Sequence, residues 1–183
     1  SYIPKEVKQI IRNDVELFEL FKKDSANKLM QINTNYFMNK FIENFFDDYM
    51  VQRRNYHKNI SGKLSNLGIN TQQINDISHQ ILNDFIFSDD YNSNSKSNER
   101  LYFRPIDKTA YTLEYIDLNL EGDSKSKFIA RMLIAYSKLP QYEREKIIFK
   151  DIYNDVFNAC KNNSIPISYS LGNRPIEVMP YAI

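Results

Sequence analysis

The chain has 183 residues, of which 42% are hydrophobic and 14% aromatic, enough apolar side chain for one good core or two small ones. Its formal net charge of +1 excludes a general attraction to nucleic acid, so any such binding must come from local patches. The single cysteine excludes an internal disulfide, and with no long apolar run in the sequence we expect no membrane span or secretory signal and a cytoplasmic protein.

Two helices are predicted at the start of the chain. The first runs from Pro4 to about Lys23, because its apolar residues recur at helical spacing. The second is capped by Asp24 or Ser25 and continues to Arg53 or beyond. The inward residues are Val7, Ile10, Ile11, Val15 and Phe18 in the first helix, and Leu29, Ile32, Tyr36, Phe37, Phe41, Ile42, Phe45, Phe46 and Tyr49 in the second.

A cluster of cations follows on the second helix. Arg53, Arg54 and Lys58 form a secondary basic patch that could follow a phosphate backbone. The alternative is a solvated helix end, since Asp47 and Asp48 lie one turn earlier and cations favour the C-terminal dipole.

The middle of the chain contains one more helix and then a polar boundary. Thr71 is expected to cap a helix whose inward residues are Ile74, Ile77, Ile81, Leu82 and Phe85. Residues 88–98 have almost no apolar content and are predicted to be a linker.

Residues 99–140 predict a strand followed by two helices. Polar and apolar residues alternate from Glu99 to Arg104, which predicts a short strand near Leu101 to Pro105 with one wet face. Asp107 can cap the next helix, Gly122 ends it, and Asp123 or Ser124 caps the last helix, which reaches Leu139–Pro140. The apolar stripes are Tyr111, Leu113, Ile116 and Leu120 in the first helix, and Phe128, Ile129, Met132, Leu133 and Tyr136 in the second.

This order of elements resembles the ribbon-helix-helix family of DNA-binding proteins, in which two copies pair their strands into an antiparallel ribbon that enters the major groove. The resemblance implies base contacts by Arg100, Tyr102 and Arg104 on the strand. It also implies a phosphate held at the start of the second helix by Ser124, Lys125 and Ser126. The alternative is that these residues form the solvated face of an ordinary edge strand and an ordinary helix cap.

A strand of this kind has open edges, so we expect it to pair in a homodimer or in an internal pseudo-dimer. A candidate internal repeat favours the pseudo-dimer, because DSANKLMQINTNYF from Asp24 is similar to DSKSKFIARMLIAY from Asp123. Residues 1–87 would then be a degenerate second copy. However, only Ser1, Tyr2 and Ile3 precede Pro4, too few for a strand, so either that strand is missing together with the native start of the chain or this region is a plain helical hairpin, and we favour the first.

The C-terminal region, residues 141–183, predicts one helix and a β-hairpin. The helix runs from about Gln141 to Asn162 and places Cys160 as a small core residue with Ile147, Ile148, Ile152 and Val156. The hairpin runs from Ile165 to about Met179 around a turn at Gly172–Asn173.

A helix leading into a hairpin that ends in Pro180–Tyr181 resembles the opening of a WYL domain. The resemblance implies a β-barrel module of bacterial regulators, some of which are accessory proteins of RNA-guided CRISPR nucleases. The Trp-Tyr-Leu stretch of that domain is missing, so no ligand site is carried over.

The fold class expected is therefore mainly α with small β elements. We expect no enzyme, cofactor or metal, because the four glycines are isolated and the two histidines fit no metal or catalytic motif. The favoured function is a transcriptional regulator of ribbon-helix-helix and WYL type that binds double-stranded DNA. The rival is an accessory or inhibitor protein, of phage or CRISPR context, that acts on a protein partner through its aromatic helical surface.

Overall fold

The computed structural model describes residues 1–23, 30–83, 98–119, 124–162, 167–171 and 174–178. The fold is mainly helical with short paired strands, as the sequence predicts. In chain order the elements are β1 (Tyr2–Pro4), α1 (Lys5–Leu17), β2 (Phe21–Lys23), β3 (Met30–Ile32), α2 (Thr34–Leu64), a 3-10 turn (Ser65–Leu67), α3 (Thr71–Ile81), β4 (Asn98–Arg100), α4 (Asp107–Asn119), α5 (Lys125–Ser137), α6 (Gln141–Ile148), α7 (Lys150–Asn162), β5 (Ile167–Leu171) and β6 (Arg174–Val178).

The strands β1 and β4 pair antiparallel and form a two-stranded ribbon within one chain. Tyr2 lies opposite Arg100, and Ile3 lies opposite Glu99. Backbone hydrogen bonds extend the pairing by one residue, because Leu101 N donates to Ser1 O at 2.8 Å. The expectation that too few residues precede Pro4 for a strand is therefore wrong. Three residues suffice because the partner strand satisfies their backbone groups.

The second strand also lies earlier than predicted, since it ends at Arg100 and not near Pro105. After Leu101 the backbone bonds to side chains of α2 instead of to a strand. Arg104 N donates to Asn35 Oδ1 at 2.6 Å, while the buried Asn39 donates to Arg104 O and accepts from Ile106 N, both at 3.0 Å. The exposure nevertheless alternates as expected for residues 100–104, with Leu101 buried between exposed neighbours.

The N-terminal helices have different bounds from those predicted. The first helix, α1, ends at Leu17, and Glu19 has a positive φ of 55° before the chain enters β2. The strands β2 and β3 pair antiparallel, so α2 begins only at Thr34. Asn33 caps it by accepting a hydrogen bond from Tyr36 N at 3.1 Å. Asp24 and Ser25, the predicted caps, lie outside the described residues.

The alignment of the segment from Asp24 with the segment from Asp123 does not match the secondary structure. Met30–Ile32 forms a strand, whereas the residues aligned with it lie within α5. The correspondence that the structure does contain is between the caps Asn33 and Ser124. Each is followed four residues later by a buried phenylalanine, Phe37 in α2 and Phe128 in α5.

The core forms where α2 and α5 pass each other with aromatic side chains between them. The ring of Tyr136 lies 5.7 Å from that of Phe37, and the ring of Phe128 lies 5.5 Å from that of Tyr49. The start of α2 therefore meets the end of α5, so the helices are antiparallel. In addition, α1 packs against α5 and α2 packs against α4. Residues on both sides of the predicted linker thus share one core.

The predicted linker, residues 88–98, falls almost entirely outside the described residues, and Asn98 belongs to β4. Most of the predicted inward faces are confirmed, including the whole stripe of α5. Tyr111 is an exception, because it is 74% exposed while Leu113 and Ile116 of the same stripe are buried.

The predicted C-terminal helix is divided at Phe149 into α6 and α7. Asn44 of α2 donates to Ile147 O at 2.8 Å, and the ring of Phe149 packs edge-on against Phe18. These contacts hold α6 on the core and leave α7 with exposed apolar residues. Ile152, predicted to point inward, is 60% exposed, and Cys160 is only half-buried.

The C-terminal hairpin is confirmed by antiparallel pairing of β5 and β6, with Ile167 opposite Val178. Its turn at Gly172–Asn173 and the pair Pro180–Tyr181 lie outside the described residues. No helix in the described part of the chain combines the length and apolar character that a membrane crossing requires.

Candidate nucleic-acid interface

The exposed face of the ribbon is built around the guanidinium of Arg100. It lies 4.4 Å from the ring centroid of Tyr102 and 5.7 Å from that of Tyr2. Both tyrosines are themselves exposed, at 67% and 49%. Cation–π contact with two rings limits the positions that the long arginine side chain can take. The ribbon therefore presents an ordered cation flanked by two aromatic rings.

The acidic residue of the ribbon lies on the other face. Glu99 is opposite the buried Ile3, and its carboxylate accepts a 2.8 Å hydrogen bond from Lys8 Nζ of α1. This bond and the charge of Lys8 lower the pKa of Glu99 below its usual value. Since successive strand residues point to opposite faces and Glu99 is paired with Lys8, the carboxylate weakens the positive field of Arg100 less than an unpaired acid on the same face would.

The side chain of Arg104 is exposed, and its backbone is fixed to α2 by Asn35 and Asn39. Nearby, Lys108 Nζ of α4 forms an ion pair with Glu43 Oε1 of α2 at 3.0 Å, and this contact lowers the pKa of Glu43. The structure thus brings Arg100 and Tyr102 into contact and leaves Arg104 further along the same exposed segment.

The residues predicted to hold phosphate lie at the start of α5. Ser124 is the cap, and its Oγ accepts a hydrogen bond from Lys127 N at 3.3 Å. The ammonium group of Lys125 is paired with the carboxylate of Asp117 in α4. The first-turn amides of a helix have no partner within the helix, so this end has donors directed outward along the axis. An anion there would compete with Asp117 for Lys125.

The secondary basic patch divides into two unlike parts. Arg54 and Lys58 are exposed, but Arg53 is 8% exposed and donates from Nη2 to Asn83 Oδ1 at 2.9 Å. Its guanidinium also lies 5.8 Å from the ring centroid of Phe128. The expectation that Arg53 belongs to a surface patch is therefore wrong. It packs in the core because the interval from Tyr49 to Arg53 is one helical turn.

Sequence reasoning missed three residues that shape this surface. The sequence pattern indicates no role for Tyr2, although this residue lies directly opposite Arg100. It indicates none for Asn35 and Asn39 either, although they hold residues 104–106. Two asparagines one turn apart on an otherwise apolar helix face were the available signal for such a backbone contact.

A second surface feature lies away from the ribbon, between α2, α6 and α7. It is a groove of about 880 Å³ whose apolar lining includes Phe45, Leu139, Ile147, Phe149 and Val156. Its rim is charged, with Lys150 Nζ 3.1 Å from Asp48 Oδ2 and Lys146 over the ring of Tyr153. Among the described residues no three metal-ligating side chains come together, although the rings of His57 and His79 are in contact, with centroids 4.6 Å apart and an interplanar angle of 44°.

No family model, curated protein or solved structure matches this chain.

Proposed function

We propose that this chain is a DNA-binding transcriptional regulator of ribbon-helix-helix and WYL type in which both strands of the ribbon come from one chain. The observation that carries the proposal is the pairing of β1 with β4, with Arg100 exposed between Tyr2 and Tyr102. Each of these strands leads into a pair of helices, α1 and α2 or α4 and α5, and the two pairs pack across each other.

A two-stranded antiparallel ribbon has the width to enter the major groove of B-DNA. Arginine is the commonest reader of the guanine edge, where it donates two hydrogen bonds to O6 and N7. The ordered guanidinium of Arg100 lies on the exposed face that would meet the base pairs, and Tyr2 and Tyr102 add apolar surface beside it. Arg104 extends the same face toward the flanking backbone.

The start of α5 supports a phosphate contact. Its first-turn amides and the positive end of the helix dipole favour an anion, and Lys125 and Lys127 add charge nearby. Such a contact carries no sequence information but fixes the register of a protein on the duplex. In this proposal Ser124, Lys125 and Ser126 orient the ribbon, while Arg100 and its neighbours read bases.

The C-terminal part supports the WYL half of the proposal in a more limited way. Helix α7 leads into the hairpin of β5 and β6, which is the order that the resemblance implies. The proposal assigns no ligand to this region.

The test is binding to duplex DNA across a salt series, after a preferred sequence has been enriched from a random pool. We expect the wild-type protein to prefer that sequence, and the double variant Arg100→Ala, Arg104→Ala to lose the preference at the base pairs that these arginines contact while still binding duplex DNA in general. Arg12→Ala is the control, because Arg12 is an exposed arginine of α1 outside the ribbon, paired with Glu16. It should remove one charge without changing the preference. A wild-type protein that binds no duplex even at low salt contradicts the proposal, since phosphate attraction is strongest there.

A matched pair of cap variants tests the phosphate contact. Ser124→Ala removes the cap of α5, and Asn70→Ala removes the equivalent cap of α3, where Asn70 accepts from Gln73 N at 2.9 Å. Both should cost about 1 kcal/mol of stability. Only Ser124→Ala should also weaken DNA binding, and it should do so equally for all sequences.

The second candidate function is an accessory or inhibitor protein that binds a protein partner. The groove between α2, α6 and α7 favours it, because Ile152 and Phe157 on α7 are exposed beside an apolar lining. Phe37 and Phe41 of α2 are buried in the core, as their predicted inward position requires, so they are not part of such a surface. The discriminating variant is Ile152→Asp, which should abolish partner binding if this function is correct and leave DNA binding unchanged if the first one is.

A further inference from the structure

Both described strands of the ribbon belong to one chain, and the two ends of the ribbon are chemically different. At one end Tyr2 lies opposite Arg100, and at the other Pro4 lies opposite Asn98. Alternation along a strand puts these four residues on the face opposite to Ile3 and Glu99. One end therefore carries a guanidinium with an aromatic ring, while the other carries a side-chain amide with a proline ring that has no N–H donor.

The connections that leave the ribbon are also unequal. The strand β1 passes directly into α1 at Lys5, whereas residues 101–106 separate β4 from α4. Those residues lie along α2, where Asn35 accepts from Arg104 N and Asn39 bonds to Arg104 O and Ile106 N. The start of α2 is thus engaged by the chain itself. The start of α5 is held differently, by the ion pair of Lys125 with Asp117.

The symmetry of a DNA site follows the symmetry of the protein that reads it. A two-fold symmetric dimer presents the same residues twice and so selects a palindrome. In this chain β1 and β4 pair antiparallel, as the two strands of such a dimer do. The residues at equivalent positions of the two strands are different. We propose that a single copy of the chain recognises a non-palindromic duplex site, with guanine read at the Arg100 end. This inference rests on the proposed DNA-binding function.

The two ends also predict different bases. The guanidinium of Arg100 matches O6 and N7 of guanine, and a side-chain amide such as that of Asn98 matches N6 and N7 of adenine. The half of the site under Arg100 should therefore be specified by guanine and the half under Asn98 by adenine. A site with guanine in one half and adenine at the equivalent position of the other half has a different sequence on its complementary strand. The site as a whole is therefore asymmetric.

The experiment combines site selection with the stoichiometry of the complex. Duplexes enriched from a random pool are sequenced. The full chain is then added to the most enriched duplex until all of the duplex is bound, and the mass of the complex is measured by analytical ultracentrifugation. We expect an asymmetric sequence and one chain per duplex. Arg100→Ala should lower the discrimination at the guanine position by roughly 5- to 150-fold and leave the other half of the site unchanged. Asn98→Ala should have the reverse pattern, which makes each variant the control for the other.

The possible failures are distinguishable. A palindromic enriched sequence, or two chains per duplex at saturation, overturns the inference and leaves DNA binding intact. A loss of preference in both halves from Arg100→Ala alone overturns it as well. Failure to enrich any sequence, with no binding of any duplex at low salt, overturns the proposed function and the inference together.

Discussion

Asp14 and Arg144 form a bidentate ion pair that joins α1 to α6, with the carboxylate buried and the guanidinium half-buried. Arg144 donates from Nε and Nη2 to the two carboxylate oxygens of Asp14 at 2.8 and 2.9 Å. The same carboxylate accepts from the hydroxyl of Tyr136 at 2.9 Å, and Arg144 Nη1 donates to Leu139 O. The hydrogen bond to Asp14 raises the pKa of Arg144, and burial raises that of Tyr136, so both remain donors. This network ties α1, α5 and α6 into one unit.

Removing the carboxylate should therefore be costly. Asp14→Ala leaves the half-buried guanidinium of Arg144 and the buried hydroxyl of Tyr136 without their carboxylate acceptor, and we expect a loss of about 3–5 kcal/mol in the free energy of unfolding. Tyr136→Phe removes only one hydrogen bond to a charged group and should cost about 1.5–3 kcal/mol. Urea titration of both variants measures the two losses. A loss below about 1 kcal/mol for Asp14→Ala would mean that water replaces the carboxylate and that the pair does not organise the core.

Stability should depend on pH through His57. Burial lowers its pKa below the ordinary 6.5, and the charges of His79 and Arg53 lower it further. The unfolded chain then binds a proton more readily than the folded one, so the free energy of unfolding should fall as pH drops below about 6.5. Above that pH both states are neutral at His57 and this effect is constant. The comparison is wild type against His57→Gln at about pH 7.5 and about pH 5.5, and the variant should lose less stability on acidification. Equal losses would contradict the assignment to His57.

Asn39 should hold the segment after the ribbon. Asn39→Leu removes the partners of Arg104 O and Ile106 N, each of which would cost roughly 1–3 kcal/mol if left unpaired in the fold. We expect lower stability and faster hydrogen exchange at the Ile106 amide, with the exchange of α7 amides unchanged. Asn39→Asp is the matched variant, because it keeps the acceptor for Ile106 N and loses the donor to Arg104 O. Unchanged exchange at Ile106 in Asn39→Leu would show that another group holds this segment.

Arg53 and Arg54 should behave oppositely although they are adjacent. Arg53→Ala removes the hydrogen bond to Asn83 and the contact with Phe128, and we expect a cost of about 1–3 kcal/mol. Arg54→Ala alters an exposed side chain and should change stability by less than about 0.5 kcal/mol. Thermal unfolding of the two variants under identical conditions tests this difference. If both destabilise the protein equally, the surface position of Arg54 is structurally more important than its exposure indicates.

Several features of the fold follow from local patterns alone. The stripe of α5 is buried as its spacing predicts, and Ser124 caps that helix as its side chain allows. The alternating exposure around Leu101 is likewise present, and the hairpin of β5 and β6 lies where the Gly–Asn turn predicts it. These features depend on residues close together in sequence, whose geometry is set by the helical and strand periods.

Other features depend on partners that no local pattern identifies. Tyr2 belongs to a strand because it pairs with Arg100, which is far from it in sequence, and the backbone of Arg104, after β4, bonds instead to Asn39 of α2. The sequence predicts Arg53 to be a surface cation, but its guanidinium lies against the ring of Phe128 in another helix.

The sequence by itself determined the buried stripe of α5, where that helix is capped, and that a strand leads into two helices. Only the tertiary structure decided that β1 pairs with β4 within one chain, which makes the two ends of the ribbon unequal. The physical reason is that side-chain periodicity is local, whereas each backbone N–H and C=O takes whichever partner the packed core brings within reach.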